Sequence, residues 1–167
     1  ESLAVKDVDF RIAVSEKLVN YWNHAFNYFG KEHIVIPCTL NRNHENIGLN
    51  KFTRTEFGFK NSDVVLVYCG SVSGWQSFGK MFEFVKTQFR QNKHVKVLLL
   101  TKETDEVKRL MNEYPNRIIC KWCSEDDVMS MMALGDYGLI IRENTITNEV
   151  ASPVKFAEYL FVSTKLL

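Results

Sequence analysis

Short apolar runs alternate with amphipathic segments through the second half of the chain. Continuous apolar runs occur at 64–69 (VVLVYC), 95–100 (VKVLLL), 117–122 (RIICKW) and 138–141 (GLII). Such runs are typical of strands that are buried on both faces of a parallel sheet. The segments between them have apolar residues at helical spacing. Thr104 and Ser124 are expected to cap the second and third of these helices, and Gly135 is expected to close the third. The pattern predicts an α/β fold with a Rossmann-like doubly wound parallel sheet, whose ligands are expected at the carboxyl ends of the strands.

The first half of the chain shows a weaker form of this pattern. Residues 10–14 predict a short strand, and Ser15 is expected to cap a helix that Gly30 closes. Residues 33–37 predict a second short strand. Residues 41–61 are polar, with scattered Phe and Gly and no regular period, so we interpret them as a linker or irregular loop.

Length and charge restrict the class of protein. The chain has 167 residues, enough for one domain and a fragment of another, and its net charge is +1. Both signs of charge are spread along the chain, which argues against an extended nucleic-acid surface. No apolar run is long enough to span a membrane and no signal-peptide pattern is present, so we expect a cytoplasmic protein.

The ends of the sequence suggest a piece of a larger protein. The chain begins without Met, and its last residues, 165–167, look like the opening of a strand. We therefore expect an excised fragment whose last domain is truncated at its C-terminus.

The four cysteines are Cys38, Cys69, Cys120 and Cys123. The C-x-x-C pair has no second ligand pair at zinc spacing, and Cys120 lies inside an apolar run rather than at a helix start. Free thiols in a reducing compartment are the simpler interpretation, and we predict no metal site.

A helix start near the end of the chain is the main candidate for a phosphate site. Ser152 is a good N-cap and Pro153 suits the first helical position, so the helix is predicted to begin at Pro153. Such a start exposes amide donors and the positive end of the helix dipole. Lys155 opposes that dipole, which is better explained if an anion binds there. Glu158 lies roughly 7–8 Å from Pro153 along the axis, about the distance from a diphosphate to the ribose of a nucleotide.

The apolar residues of this helix predict which face is buried. The predicted buried stripe consists of Val154, Ala157, Leu160 and Phe161. The opposite, outward face would carry Lys155, Glu158 and Tyr159. The alternative interpretation is a surface helix with a good cap and a solvated Lys–Glu pair.

A glycine-containing loop follows the 64–69 strand at the same predicted edge of the sheet. The small residues of Gly70-Ser71-Val72-Ser73-Gly74 let a backbone approach a phosphate or an acceptor closely. The loop lacks the G-x-G-x-x-G spacing of NAD-binding proteins, and an ordinary Gly/Ser loop is the alternative. Two such features at one sheet edge together favour a ligand site.

Three segments resemble one protein family: YCGSVSGWQSF, SEDDVMSMMALGDYGLIIRE and VASPVKFAEYL. They are similar to the C-terminal lobe of two-domain GT-B glycosyltransferases, most closely the group-1 branch that builds bacterial capsule and lipopolysaccharide sugars. The run DFRIAVSEKLVNYW…IVIPCTL resembles the end of the N-terminal lobe of these proteins. The resemblance implies an acceptor-lobe remnant at 1–40, a linker at 41–61 and a nucleotide-sugar-binding lobe at 62–167.

The resemblance also implies roles for individual residues. Glu158 matches the glutamate that holds the ribose hydroxyls, and the amides of Ser152, Pro153 and Val154 match the diphosphate-binding helix start. Trp122 and Cys123 match the segment whose backbone contacts the base. The loop residues Gly70, Ser71 and Gly74 match the glycine loop that faces the active cleft.

Stabilising a leaving diphosphate requires cations. We assign this catalytic role to Lys155 and to Arg142, which ends the fourth strand, whereas Lys102 is predicted to lie too far across the sheet. For Arg142 the alternative is an ordinary salt bridge at a strand end, to Glu143 or Glu149.

Three departures from the family pattern bear on the catalytic step more than on donor binding. A glutamate common in the branch is replaced by Val150, with Glu149 one residue away. Ser71 and Gln76 stand about where the branch often has Arg and Lys. The small-residue run after EYL is replaced by 161–163 (FVS).

These observations predict a glycosyltransferase fragment, inactive by itself, whose donor substrate is a nucleoside diphosphate sugar. No cofactor is expected. The acceptor would be a capsule, lipopolysaccharide or other envelope glycan, or a lipid-linked acceptor. The full-length protein could therefore associate with the inner face of the membrane. The alternatives are a non-catalytic nucleotide-binding or interaction module of the same fold and a nucleotide-sugar epimerase.

Overall fold

The chain divides into two compact units. The computed structural model describes residues 2–40, 48–72 and 74–167. Unit 1 comprises Glu1–Thr39 and Asn144–Val154, and unit 2 comprises Leu40–Glu143 and Lys155–Leu167. Part of the predicted linker, 41–47, and Ser73 of the glycine loop lie outside the described residues.

Helices and strands alternate along the described chain. In order they are α1 (Ser2–Lys6), β1 (Arg11–Ala13), α2 (Glu16–Phe26), β2 (His33–Val35), β3 (Val64–Cys69), α3 (Phe78–Gln91), β4 (Val95–Leu100), α4 (Asp105–Glu113), β5 (Ile118–Cys120), α5 (Glu125–Met132), β6 (Tyr137–Gly138), α6 (Ile146–Val150), α7 (Val154–Phe161) and β7 (Lys165–Leu166). Short 3-10 turns occur at Thr55–Phe57 and Gly74–Gln76.

Unit 2 is built on a parallel sheet with the strand order β5-β4-β3-β6-β7. Strands β3 and β4 pair along their whole length, from Val64 opposite Val95 to Cys69 opposite Leu100. The chain runs outward from β3 in one direction through β4 and β5, and in the other through β6 and β7. The predicted doubly wound α/β fold is therefore confirmed, and its topological switch point lies between β3 and β6.

Both faces of this sheet are buried, as the continuous apolar runs predict. One face of β3 and β4 packs with α3 and α4. Its fully or nearly fully buried members include Leu66, Tyr68, Met81, Val85, Val97, Leu99 and Val107. The other face packs with α5, α7 and the segment before β3. Its members include Phe59, Val65, Val67, Leu98, Met129, Met132 and Tyr159.

Residues 48–61, predicted to be part of a linker, pack into unit 2. Phe59 is 2% exposed in the second core. Arg54 donates from Nη2 to Asp136 Oδ2 at 2.6 Å and from Nε to the Leu134 carbonyl at 2.8 Å. The lack of a regular period correctly indicates irregular structure, but it does not reveal these contacts because they are made to residues far along the chain.

Unit 1 contains the two-stranded parallel sheet of β1 and β2, with α2 packed against it. Ser15 caps α2 as predicted, since its Oγ accepts a hydrogen bond from the Leu18 amide at 3.1 Å. The same hydroxyl donates to the Val150 carbonyl at 2.7 Å. The helix ends at Asn27 in the left-handed region (φ 54°), so the prediction that Gly30 closes it is wrong. Asn tolerates this conformation better than most residues.

Several predicted element ends also differ. The strands predicted at 117–122 and 138–141 are shorter, as β5 and β6. Ser124 precedes α5, but its side chain makes no capping hydrogen bond, and the helix ends before Ala133 rather than at Gly135. Helix α6 was not predicted; Thr145 caps it by accepting from the Asn148 amide at 3.3 Å.

Candidate functional site

A crevice lies at the switch point, where the carboxyl ends of β3 and β6 diverge. We call it the switch-point crevice. Its lining residues are Tyr68, Cys69, Gln76, Leu139, Ile140, Ile141, Arg142 and Lys155. In an open α/β sheet this is the place where ligands bind. The crevice brings together Lys155 and Arg142, the two cations that the sequence analysis assigned to the diphosphate.

Lys155 enters the crevice from the first turn of α7. Its Nζ lies 2.5 Å from Oε2 of Glu158, one helical turn further along. The Lys155 side chain is 31% exposed, whereas that of Glu158 is only 9% exposed. The pair is therefore largely buried, unlike the solvated surface pair that the sequence also allowed.

Burial affects the thiol and the ammonium group beside it in opposite ways. Burial raises the pKa of the Cys69 thiol to about 11, and the nearby Lys155 charge offsets only part of this rise. Burial lowers the pKa of Lys155, but its contacts with Cys69 and Glu158 outweigh this effect and raise the pKa overall. At neutral pH the crevice thus contains a neutral thiol and a protonated lysine.

Arg142 reaches the crevice from the loop after β6, four residues beyond Gly138, so the prediction that it ends a strand is wrong. Its Nη2 donates to Gln76 Oε1 at 3.3 Å. The partner of Arg142 is therefore Gln76, the residue that the sequence resemblance places about where an Arg or Lys is often found. Tyr68 lies beside Arg142 in the crevice. Burial is the main reason that the pKa of Tyr68 is raised to about 12, and the positive charge of Arg142 lowers this pKa in part. The Tyr68 hydroxyl donates to the Ser71 carbonyl at 2.6 Å.

Close packing requires a glycine at only one of the two glycine positions of the predicted loop. A Cβ atom added at Gly70 would lie 3.1 Å from the Tyr68 hydroxyl oxygen, so the absence of a side chain matters there. A Cβ atom at Gly74 would have no neighbour within 4 Å. The backbone of Gly74 is therefore open to a ligand.

Trp122 and Cys123 follow β5 at the same edge of the sheet. Trp122 is 64% exposed, and Lys102 Nζ lies 5.3 Å from the centroid of its ring. Cys123 packs partly against the second core. Burial, with the Asp127 charge, raises the pKa of its thiol, and Lys155 lowers it in part. Their assignment to the base stays a prediction.

The predicted orientation of α7 is wrong. Glu158 and Tyr159 are 7% and 0% exposed, whereas Val154, Phe156 and Leu160 are 41%, 51% and 56% exposed. Specific contacts override the apolar pattern. The Tyr159 hydroxyl donates to the Val67 carbonyl at 3.0 Å and accepts from the Cys69 amide at 3.1 Å. These bonds fix α7 against β3 and place Glu158 on the inner side.

The helix start also differs from the prediction. Helix α7 begins at Val154, and Ser152 Oγ accepts a hydrogen bond from the Cys38 amide at 3.0 Å within unit 1. Pro153 also belongs to unit 1. In the same unit Glu149, the possible substitute for the family glutamate, has Lys17 as its partner at 3.7 Å. The assignment of Ser152, Pro153 and Val154 to donor binding stays a prediction.

Cys69 and Gln76 are polar residues of the crevice to which the sequence analysis assigns no site role. The sequence predicts a free thiol for Cys69 and the absence of a cation at Gln76. The available signal for Cys69 was its position as the last residue of a buried strand, where it must lie at the ligand edge.

The buried thiol should make the fold sensitive to alkaline pH. Its pKa is about 11 in the folded chain against an ordinary value of 9.0, so the free energy of unfolding should be unaffected by this group below pH 9. Between pH 9 and about 11 the unfolded chain ionises first, and stability should fall by roughly 2 kcal/mol. Denaturant unfolding of the wild type and Cys69→Ala should diverge only above pH 9. Parallel profiles up to pH 11 would contradict the prediction.

The described residues contain no group of three or more His, Cys, Asp or Glu side chains arranged to hold a metal ion. None of their helices is long and apolar enough to cross a membrane.

No protein-family model and no curated protein matches the chain. Solved structures do match. WaaG, a glycosyltransferase involved in lipopolysaccharide biosynthesis, has TM-score 0.70 and 13% identity over 93% of this chain and 42% of that chain. HepE from Anabaena in complex with UDP and glucose has TM-score 0.70 and 14% identity, over 98% and 45%. A trehalose-phosphate synthase (UDP-forming) from Burkholderia vietnamiensis has TM-score 0.59 and 7% identity, over 94% and 44%.

The chain thus spans less than half the length of each of these three proteins. Its five-stranded parallel sheet, flanked by helices, matches the sheets in their lobes. At such low identities the similarity establishes the fold and nothing finer. The chain has the fold of a lobe of the GT-B glycosyltransferases, as the sequence motifs predicted.

Proposed function

We propose that unit 2 binds the nucleoside diphosphate of a sugar donor and is the donor lobe of a glycosyltransferase. The observation that carries the proposal is the convergence of Lys155 and Arg142 in the switch-point crevice. One cation comes from a helix start and the other from the loop that follows β6. Two positive charges at the ligand edge of a doubly wound sheet suit a diphosphate.

The diphosphate is the leaving group when a nucleoside diphosphate sugar transfers its sugar. Its negative charge increases as the glycosidic bond breaks, so cations fixed beside it stabilise the transition state more than the ground state. Lys155 and Arg142 supply this stabilisation in the proposal. The Gly70–Gly74 backbone faces the phosphates or the acceptor, and the segment of Trp122 and Cys123 contacts the base.

The proposal also assigns roles to unit 1 and to the acceptor. The chain is under half the length of the solved glycosyltransferases that it matches, so the complete reaction requires a longer protein. We propose that unit 1 contains a remnant of the acceptor lobe. WaaG acts in lipopolysaccharide biosynthesis, which supports an envelope glycan or lipid-linked acceptor.

UDP is the first ligand to test, because HepE was solved with UDP. A ligand that binds only the folded state raises the melting temperature according to RT ln(1 + [L]/Kd), about 2.7 kcal/mol at a concentration of 100 Kd. We expect UDP to raise the melting temperature of this chain and uridine to raise it much less. ADP and GDP should be compared in parallel to identify the base. If no nucleoside diphosphate shifts the melting temperature, the proposal is wrong.

A non-catalytic binding module of the same fold is the second candidate. It is favoured by the neutral Ser71 and Gln76, which stand where the related branch often has cations. Both candidates predict UDP binding, so turnover must separate them. Release of UDP from a UDP-sugar by the full-length protein, increased by an acceptor, supports the transferase. Binding without release supports the module, and conversion of the sugar without release supports an epimerase.

A further inference from the structure

A second cleft of unit 2 lies at the edge of the sheet opposite the switch-point crevice. Its volume is about 450 Å³, which is within the range of small-molecule sites. It is bordered by residues at or just before the first residues of β3, β6 and β7, and we call it the amino-edge cleft. The polar residues that line it include Arg54, Asn61, Asp136, Ser163 and Lys165. Among the described residues the cleft and the crevice have no lining residue in common.

An ion pair provides the fixed part of this cleft. Arg54 Nη2 and the Val65 amide both donate to Asp136 Oδ2, at 2.6 Å and 2.8 Å. Arg54 Nε donates to the Leu134 carbonyl at 2.8 Å. Arg54 Nη1 and Asp136 Oδ1 have no hydrogen-bond partner within the described chain, and the two side chains are 25% and 39% exposed. The pair therefore offers one donor group and one acceptor whose positions are already fixed.

Ser163 lines the cleft at a position that glycine usually occupies. The end of α7 has the hydrogen bonds of a Schellman motif, since the Ser163 amide donates to the Leu160 carbonyl at 3.1 Å and the Thr164 amide to the Tyr159 carbonyl at 3.0 Å. Ser163 has a φ of 60°, in the left-handed region that favours glycine. Its hydroxyl makes no hydrogen bond to a described residue that would offset this strain. A strained residue without structural compensation points to a functional position.

The charges that line the cleft balance one another. The cations are Arg54 and Lys165, and the carboxylates are Asp63 and Asp136. The formal charges of these four residues sum to zero. Binding sites are electrostatically complementary to their ligands, so the cleft is poorly suited to a phosphate or another polyanion.

The other polar groups of the cleft are neutral. Asn61 and Ser62 are exposed, and like Ser163 they make no side-chain hydrogen bond to any residue that the structure describes. A side-chain amide both donates and accepts hydrogen bonds, and so does a hydroxyl group. The hydroxyl groups of a sugar have the same property. Neighbouring hydroxyls on a sugar ring therefore match a surface that presents donors and acceptors together.

From this lining we propose that the amino-edge cleft is a binding site for a neutral glycan. Neighbouring sugar hydroxyls bind Arg54 Nη1 and Asp136 Oδ1, and further hydroxyls bind Asn61 and Ser163. The inference does not rest on the proposed nucleotide site, which lies at the other edge of the sheet. A glycan held in this cleft leaves the switch-point crevice free, and its attachment raises the effective concentration of sugar chains around the lobe.

Titration of the wild-type chain with four tetrasaccharides tests the ligand class. Three are neutral, namely cellotetraose, chitotetraose and mannotetraose, and tetragalacturonate is their charged counterpart. We expect at least one neutral tetrasaccharide to bind, tetragalacturonate to bind more weakly, and saturating UDP to displace neither. The proposal is wrong if no neutral tetrasaccharide binds, if tetragalacturonate binds most tightly, or if UDP displaces the bound sugar.

Ser163→Gly separates a ligand contact from a structural role. Glycine relieves the left-handed strain, so the melting temperature should rise. The affinity for the neutral tetrasaccharide should nevertheless fall roughly two- to tenfold, the range for loss of one hydrogen bond between neutral groups. A serine with only a structural role would give the higher melting temperature without the loss of affinity. The matched control is Asn116→Gly, which relieves a φ of 61° in the exposed turn before β5, outside the cleft, and should leave the affinity unchanged.

The double variant Asn61→Ala/Ser163→Gly decides the location of the sugar. Neither side chain makes a hydrogen bond within the described chain, so the variant should fold, and its affinity for the tetrasaccharide should fall further than that of Ser163→Gly. An unchanged affinity would place the sugar elsewhere and overturn the proposal. The effect of UDP on the melting temperature should be the same in this variant and in the wild type, so the glycan site and the proposed nucleotide site are tested separately.

Discussion

Replacing Gly138 with alanine is expected to destabilise unit 2 by about 3 kcal/mol or more, which is at or above the top of the usual range for overpacking. A Cβ atom at Gly138 would lie 2.4 Å from Cδ1, 2.5 Å from Cγ and 2.7 Å from Cδ2 of Tyr159. All three distances are far below van der Waals contact, and the ring is fully buried. The added Cβ atom would therefore clash with a buried aromatic ring and not with the flexible end of a side chain.

The ring of Tyr159 cannot move away easily because its hydroxyl is fixed at the far end. That group is hydrogen-bonded to the backbone of Val67 and of Cys69 in the central strand. Moving the ring would break these bonds or push α7 off the sheet. Denaturant unfolding of Gly138→Ala against the wild type measures the loss.

Gly79→Ala is the matched control for this substitution. Gly79 lies in α3, and a Cβ atom there would have no neighbour within 4 Å. Alanine is favoured over glycine in a helix interior by roughly 0.5–1 kcal/mol. Gly79 lies in the first turn of α3, so this variant should be stabilised by no more than that amount. If the two variants have equal stability, the close packing of Tyr159 on Gly138 does not determine the fold of this region.

Replacing Lys155 with alanine is expected to weaken UDP binding by roughly ten- to a hundredfold, the range for loss of a charged hydrogen-bonding group. The affinity for uridine should change much less, since the nucleoside carries no phosphate. Arg142→Ala should have the same effect in a weaker form. Added salt should weaken UDP binding to the wild type and do so less in the double variant of Lys155 and Arg142. Calorimetric titration with UDP and uridine measures all of these effects.

Two further variants make this result specific. Lys155→Ala leaves Glu158 without its partner, so the double variant Lys155→Ala/Glu158→Gln separates loss of a phosphate ligand from the effect of a stranded carboxylate. Lys93→Ala removes the same charge from the exposed turn between α3 and β4, at the opposite edge of the sheet, and should leave UDP affinity nearly unchanged. If Lys155→Ala weakens uridine and UDP equally, Lys155 does not contact the phosphates.

Strands β3 and β4 could be predicted from the sequence because each is buried on both faces. Every position then needs an apolar or adaptable side chain, and a continuous run results. The bounds 64–69 and 95–100 agree with the structure. The N-caps of α2 and α4 could also be predicted from the sequence, because Ser15 and Thr104 accept hydrogen bonds from amides only three residues away.

The candidate site was predictable in part. In a doubly wound sheet the ends of β3 and β6 must meet at one edge, so Arg142 and Lys155 were expected near each other, and both line the switch-point crevice. Their function as phosphate ligands stays a prediction. The contribution of Gln76 could not be predicted, because its contact with Arg142 joins residues that are 66 positions apart.

The sequence by itself determined the alternation of strands and helices, and with it the parallel sheet and the edge at which a ligand can bind. Only the tertiary structure decided the orientation of α7. An apolar stripe predicts that a helix turns its more apolar face toward the core, because burying that face is favourable on average. In α7 the two hydrogen bonds of the Tyr159 hydroxyl and the close packing of its ring on Gly138 decide the orientation instead. The result buries Glu158 beside Lys155 and exposes Phe156 and Leu160. A local pattern cannot contain this information, because the partners that decide it lie on distant strands.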